Sequence, residues 1–256
     1  MMAFLREVSP RLADCELVCL ARRPIEVARA RQQHARYAAE LAALGCRLHS
    51  LAPLDEHPDG VFVEDTAVLL PEVALITRPG AASRVAEVET VAAALESFLP
   101  VKRITAPATL DGGDVLRIAR TLYVGASGRS NSEGIEQLRH ALAPFGYSVR
   151  AVALKGCLHL KSACTFIAPQ TLIVNPAWVD PKAFDARVVI PVGEGEAYGA
   201  NTLTLGGISL VSAAFPRTRE RLEKAGIRTR ALDVSELEKA EAALTCMSLL
   251  LEEPAP

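Results

Sequence analysis

Five segments of this chain repeat one shape: a polar residue, a short apolar run, a turn, and often a second apolar run. They are VEDTAVLL, GGDVLRIA, HLKSACTFIA, GANTLTLG and LTCMSLLL. The polar residues at or just before these runs, Asp65, Asp111, His159, Asn201 and Cys246, recur every 42 to 48 positions. A period of that length points to repeat arrays and propellers, where one unit buries its apolar face only against the next. Each unit reads as strand, strand, helix, strand. The expected fold is therefore α/β: a five-bladed α/β propeller with pseudo-five-fold symmetry.

Helical periodicity is clearest at 25–44, which ends at Gly45 in C-cap position. A second helix is expected at 85–98, after Ser83. Ser130 and Glu133 have capping-box spacing for a third, running to about Ala143. A fourth is expected at 218–225, closed by Gly226. Short apolar runs at 66–70, 73–77, 114–118, 121–125 and 171–175 read as strands. The fifth unit is cut short after Cys246. The N-terminal piece offers what it lacks: ELVCLA as a strand, the 25–44 helix, and CRLHSL as a strand. The N-terminal segment is thus expected to close the last blade, so that no sheet edge is left open. Residues 1–256 then form one domain.

Composition narrows the function classes. The formal net charge is −2, so bulk attraction to nucleic acid or an anionic membrane is not indicated. No apolar stretch is long enough to span a bilayer. Arg6, Glu7 and Pro10 interrupt the core that a signal peptide would need. The six cysteines make no CxxC pair and no zinc-like spacing with histidine, so they read as free thiols in a reducing cytoplasm.

Equivalent units would bring the five polar residues together near one axis. Five such groups in a core would be costly to desolvate without purpose. Cys246, His159 and Asp111 supply a nucleophile, a base and its orienting carboxylate. Taken singly, each has a plainer reading: a core thiol, a structural histidine, a turn acid. The thiolate is the attacking form, and a cationic partner favours it, either protonated His159 or a cationic substrate. Asp59, Glu64 and Asp65 lie close together in HPDGVFVED. Paired carboxylates match the planar donor array of a guanidinium. Arg84 and Arg129 are candidates for holding a substrate carboxylate. Such an acid cluster would repel the oxyanion of a cysteine protease.

The stretches RQQHARY, PDGVFVEDTAV, ALITRPGAASR, TLDGGDVL, HLKSAC, GAN, PRTRERLEKAG, SELEK and LTCMS carry a resemblance over most of the chain, from about residue 31 to 249. The sequence resembles the dimethylarginine dimethylaminohydrolase family, within the wider guanidino-modifying (pentein) superfamily. The resemblance implies a hydrolase with Cys246 as nucleophile, His159 as general acid/base and Asp111 orienting the imidazole. It implies that Asp59, Glu64 and Asp65 bind the cationic end of a small-molecule guanidino substrate, with Asp65 close to the guanidinium. Arg84 and Arg129 would hold the substrate carboxylate. No metal or organic cofactor is implied, and a homodimer is left open.

The implied reaction releases an amine from a methylated arginine through a covalent thiouronium on Cys246 and leaves citrulline. Two departures from the family pattern stand out. Only ARRPIEV separates the expected first strand from its helix, so the lid over the site is expected to be short. Glu241 stands where the family usually has Asp, and Ala242 where it has Gly. Both lie at the expected rim of the substrate site. They leave room for related guanidino chemistry: an arginine or agmatine deiminase, an amidinotransferase, or a binding protein without activity.

Overall fold

The computed structural model describes residues 1–252. The last positions of the expected 1–256 domain, 253–256, lie outside the described residues. The chain runs from strand β1 (Met2–Arg6) through helix α1 (Val27–Ala43) to β2 (Arg47–Leu51). It continues with β3 (Ala67–Leu70), β4 (Val73–Ile76), α2 (Val88–Leu95) and β5 (Val101–Arg103). Next come β6 (Val115–Ile118), β7 (Thr121–Ala126), α3 (Ser132–Leu142) and β8 (Ser148–Ala153). Helix α4 (Leu160–Ala163) leads into β9 (Cys164–Ala168), β10 (Thr171–Val174) and β11 (Val188–Pro191). The last elements are β12 (Leu203–Leu205), β13 (Ile208–Ser212), α5 (Pro216–Lys224), β14 (Arg228–Leu232), α6 (Ser235–Glu238) and β15 (Leu249–Leu251).

These strands form three-stranded sheets in the orders β3-β4-β5, β6-β7-β8, β11-β10-β9, β12-β13-β14 and β15-β1-β2. In each sheet the middle strand pairs antiparallel with one neighbour and parallel with the other. A parallel pair needs a crossover. Helices α1, α2, α3 and α5 supply four of them, and a 3-10 turn at Pro181–Ala183 lies within the fifth. In the last sheet Phe4 pairs with both Leu249 and His49, so residues from the two ends of the chain share one ladder. Met2, Phe4, Leu249 and Leu251 pack with Ala67, Ile76, Val91 and Leu95 into one apolar cluster. Burying each large side chain contributes roughly 1.5–3 kcal/mol.

The expected strands 66–70, 73–77, 114–118, 121–125 and 171–175 are present within a residue of their ends. Gly45 and Gly226 take φ of +91° and +81° beyond α1 and α5, the left-handed region that a helix C-terminus favours. Four expectations are corrected. ELVCLA is not a strand; β1 is Met2–Arg6 instead. Its residues are buried without alternation, as in a strand covered on both faces, while Val18 and Leu20 are exposed. All of 7–26 therefore lies between β1 and α1, and the loop is long rather than short. Helix α2 starts at Val88, because Ala82–Glu87 winds as a 3-10 turn around the buried Arg84. The Ser130–Glu133 box does not form. Asn131 caps α3 by accepting from Gly134 N, and Ser130 donates to Asp114. Among the described residues, no helix is long and apolar enough to cross a membrane.

Candidate active site

The five recurring polar residues sit on turns ahead of strands, and they gather. Asp65 lies in a 3-10 turn before β3, Asp111 immediately precedes a 3-10 turn before β6, and His159 immediately precedes α4 before β9. Cys246 lies in the 3-10 turn Thr245–Met247 before β15. His159 Nε2 is 3.0 Å from Asp111 Oδ2 and 3.9 Å from Asp65 Oδ1. Asn201 brackets the cysteine turn. Its Oδ1 accepts from Thr245 N at 3.0 Å, and its Nδ2 donates to Thr245 Oγ1 at 2.9 Å.

Cys246 and His159 line one cavity of about 30 Å³ together with Glu16, Asp59, Phe62, Arg84, Arg129 and Glu241. The sulfur accepts from Ala243 N at 3.4 Å. Burial pushes the Cys246 thiol well above its ordinary range, and Glu64 and Asp65 add to that. Burial alone would lower the His159 pKa. Asp65, the hydrogen bond to Asp111, and Asp114 more than offset this and raise it to about 9. The folded site therefore favours the protonated form of both groups. Burial would raise Asp65, but His159, Arg84 and the Gly113 amide hold it at about 2.

The acids divide into two groups. Asp59 lines the cavity and accepts from the backbone amide of Glu16 at 3.1 Å; burial raises its pKa. Glu64 faces another way. Its carboxylate meets Lys161 Nζ at 2.6 Å and Thr245 Oγ1 at 2.7 Å, beside a separate cavity of about 250 Å³. Burial raises its pKa against the pull of Lys161.

The arginines divide as well. Arg84 is buried and committed. Nη1 donates to Asp65 at 2.5 Å, Nη2 to Phe62 O and to Glu87 at 2.9 Å, and Nε to Glu87. Arg129 is less encumbered and meets Glu16 Oε2 at 3.3 Å. Glu241, at φ +58°, accepts the amides of Val18 at 3.0 Å and Cys19 at 2.5 Å, and that of Leu20. Its carboxylate thus ties residues 18–20 of the 7–26 loop to the lining of the cavity.

Asp65, Asp111 and His159 each offer one atom within 4.8 Å of the other two, a spacing that a metal ion could use. Those atoms already serve one another, Arg84 and the amides of Gly113 and Gly80.

No protein-family model matches the chain. It is 41% identical over 254 residues to the N(G),N(G)-dimethylarginine dimethylaminohydrolase of Streptomyces coelicolor, with 98% of this chain and 97% of that one covered. The chain belongs to the dimethylarginine dimethylaminohydrolase family. The family protein of the same name from Pseudomonas aeruginosa is 34% identical over 226 residues, covering 88% of this chain and 89% of that one. A solved structure of that dimethylarginine dimethylaminohydrolase, a cysteine-to-serine variant complexed with citrulline, superposes with a TM-score of 0.91 at 32% identity. It covers 97% of this chain and 99% of its own. The N-terminal domain of a cyanobacterial arginine dihydrolase has the same fold, with a TM-score of 0.86 at 19% identity over 97% of each chain.

Sequence reasoning missed three residues that contact the candidate site or the turns that carry it. Asp114 accepts from Leu160 N at 3.0 Å and from Ser130 Oγ at 2.7 Å, and so fixes the start of α4 beside His159. Burial raises its pKa to about 6. Its signal was the second acid of DGGD. Lys161, in HLKSAC, neutralises Glu64. Glu16 left no signal, because its segment read as a strand.

Proposed function

We propose that the protein hydrolyses Nω-methylated arginine to citrulline and a methylamine, with Cys246 as nucleophile. One observation carries the reading: Cys246 and His159 line one small cavity with Asp59 and Arg129, groups of opposite charge suited to the two ends of an amino-acid guanidine.

The Cys246 thiol gives up its proton to solvent as the guanidinium binds, and the sulfur adds to the guanidinium carbon as thiolate. Its pKa is raised in the free protein, so the approach of the cationic guanidinium beside Asp65 is what favours the charged form. His159 gives its proton to the departing amine as the carbon–nitrogen bond breaks, leaving a thiouronium on the sulfur. The now neutral His159 takes a proton from water, and the hydroxide adds to the same carbon. The carbon–sulfur bond then breaks and the hydroxyl proton passes to the departing sulfur, returning the Cys246 thiol and releasing citrulline. The balance is one water consumed and one amine released. Asp111 keeps the imidazole in place. Asp59 and Asp65 favour the cationic substrate. Glu64 acts one step further off, through Thr245. Arg129 is the better placed of the two arginines to hold the α-carboxylate, since the donors of Arg84 are shared among protein acceptors. No cofactor enters the scheme.

We also infer that the five sheets are blades of a propeller, with β1 and β2 completing the blade that β15 begins. The repeated antiparallel–parallel pattern and the β15–β1 ladder support this, and we read the blades as parts of one domain. A reducing cytoplasm suits six free cysteines, one of them, Cys19, exposed.

The test is a product assay on arginine, its mono- and dimethylated forms, and agmatine. Citrulline with dimethylamine from the dimethylated substrate supports the reading. Ammonia from arginine with no turnover of the methylated forms would replace it with a deiminase, and no turnover of any would remove the enzymatic reading.

A further inference from the structure

The loop between β1 and α1 brings a carboxylate to the place where a substrate carboxylate is expected. Glu16 lines the cavity of Cys246, and its Oε2 lies 3.3 Å from Arg129 Nη2. Three contacts hold it there. Its backbone amide donates to Asp59 Oδ2 at 3.1 Å, Ser83 Oγ donates to Oε1, and Arg129 meets Oε2. The Arg129 side chain is only 11% exposed while that of Glu16 is 41% exposed, so the acid covers the cation on its solvent side.

We propose that Glu16 is a specificity-determining residue that competes intramolecularly for Arg129 against the α-carboxylate of the substrate. The inference rests on the reading of Arg129 as the carboxylate clamp. One guanidinium nitrogen cannot serve both carboxylates at full strength, and two carboxylates at one cation repel each other. An amino-acid substrate must displace Glu16. A guanidine that ends in an amine, with no carboxylate, need not. The Glu16–Arg129 pair therefore narrows the advantage that Arg129 gives to amino-acid substrates, and it sets that preference from the lid.

The size of the effect follows from the exposure of the acid. Half-exposed ion pairs are worth little, and tenfold in affinity is about 1.4 kcal/mol. Removing the competitor should tighten amino-acid binding about two- to fivefold.

Two measurements on the full chain test this. Kinetics of Glu16→Gln with Nω,Nω-dimethylarginine should show KM lowered about two- to fivefold, with kcat changed less, and KM for agmatine not lowered. In an Arg129→Ala background the same substitution should leave KM for dimethylarginine unmoved, which a purely structural role of Glu16 would not produce. Calorimetry of L-citrulline binding to Cys246→Ser, with and without Glu16→Gln, gives a second readout that needs no turnover. Tighter citrulline binding in the double variant supports the competition even if the wild-type substrate proves to be another guanidine. A raised KM and weaker citrulline binding would overturn it, because Glu16 would then be a receptor for the α-ammonium. Unchanged values in both measurements would overturn it as well.

Discussion

His159 Nε2 stands 3.0 Å from Asp111 Oδ2, with the Asp65 carboxylate 3.9 Å from the same nitrogen, so one edge of the ring faces two acids. The folded protein favours the imidazolium, at about 9 against an ordinary 6.5. The stability this contributes is fully present below about 6.5 and is lost as pH rises through about 9. Asp65 has the opposite sign. Held at about 2 against 3.8, it contributes above about 3.8 and loses that contribution as pH falls through about 2. Urea midpoints should therefore decline between about pH 6.5 and 9, and His159→Gln should flatten that decline. An undiminished slope in the variant would place the responsible group elsewhere.

The same ring is expected to carry the proton transfers. His159→Gly should cost about 10²–10⁴-fold in kcat, the usual worth of a general acid–base group. Asp111→Asn should lower kcat and move the alkaline limb of the pH–rate profile down from the neighbourhood of 9, because it removes a charge that favours the imidazolium. A fall in kcat with the limb unmoved would mean that Asp111 only shapes the turn before β6.

The Cys246 thiol is raised by burial and by Glu64 and Asp65, whereas Cys19 is exposed. At neutral pH, uncharged iodoacetamide should label Cys19 before Cys246. A haloacetamidine, whose cation matches the guanidinium, should reverse the order, and Cys246→Ser should abolish that fast label. Mass spectrometry of peptides from each reaction reads the order directly. Rapid iodoacetamide labelling of Cys246 in the free protein would show a thiolate already formed, and substrate-favoured ionisation would fall.

Gly113 lies under this site with no room for a side chain. A Cβ there would come within 2.8 Å of both Asp65 Oδ1 and His159 Nδ1. Neither group can retreat freely, since Asp65 is bound to Arg84 and the imidazole to Asp111. Gly113→Ala should lower kcat by at least tenfold and cost about 1–3 kcal/mol of stability, the usual range for overpacking. Denaturant unfolding with citrulline assays checks both. Wild-type values would mean that the loop yields at no cost.

How far the sequence reached depends on the range of each signal. Strands such as Thr171–Val174 and helix ends such as Gly45 follow from local alternation and glycine conformation, and they were legible. The gathering of Asp65, Asp111, His159 and Cys246 was legible because the repeat placed them ahead of equivalent strands. The first strand was not. MAFLR, buried on both faces, shows no period-two pattern, and ELVCLA offered a more apolar substitute. That error hid the true length of the 7–26 loop and with it Glu16. Arg84 was singled out in the sequence, but not its commitment to protein acceptors. Its engagement by Asp65 and Glu87 depends on a 3-10 turn that favours no particular residue pattern.

Glu241 is where the long loop is fastened. One carboxylate accepts three successive backbone amides, those of Val18, Cys19 and Leu20, from a residue at positive φ. Charge-assisted bonds of this kind are roughly twice as strong as neutral ones, yet these are exposed and so weakened by water. Glu241→Gln retains the acceptor oxygen but loses the charge, and Glu241→Ala removes both. Amide hydrogen exchange at 18–20 should quicken about tenfold or more in the alanine variant and less in the glutamine variant, while exchange in β7 and β10 stays as it was. KM should rise in the same order, since the loop then covers the cavity for less of the time. Quickened exchange without any change in KM would mean that this loop shields the cavity without contributing to the hold on substrate.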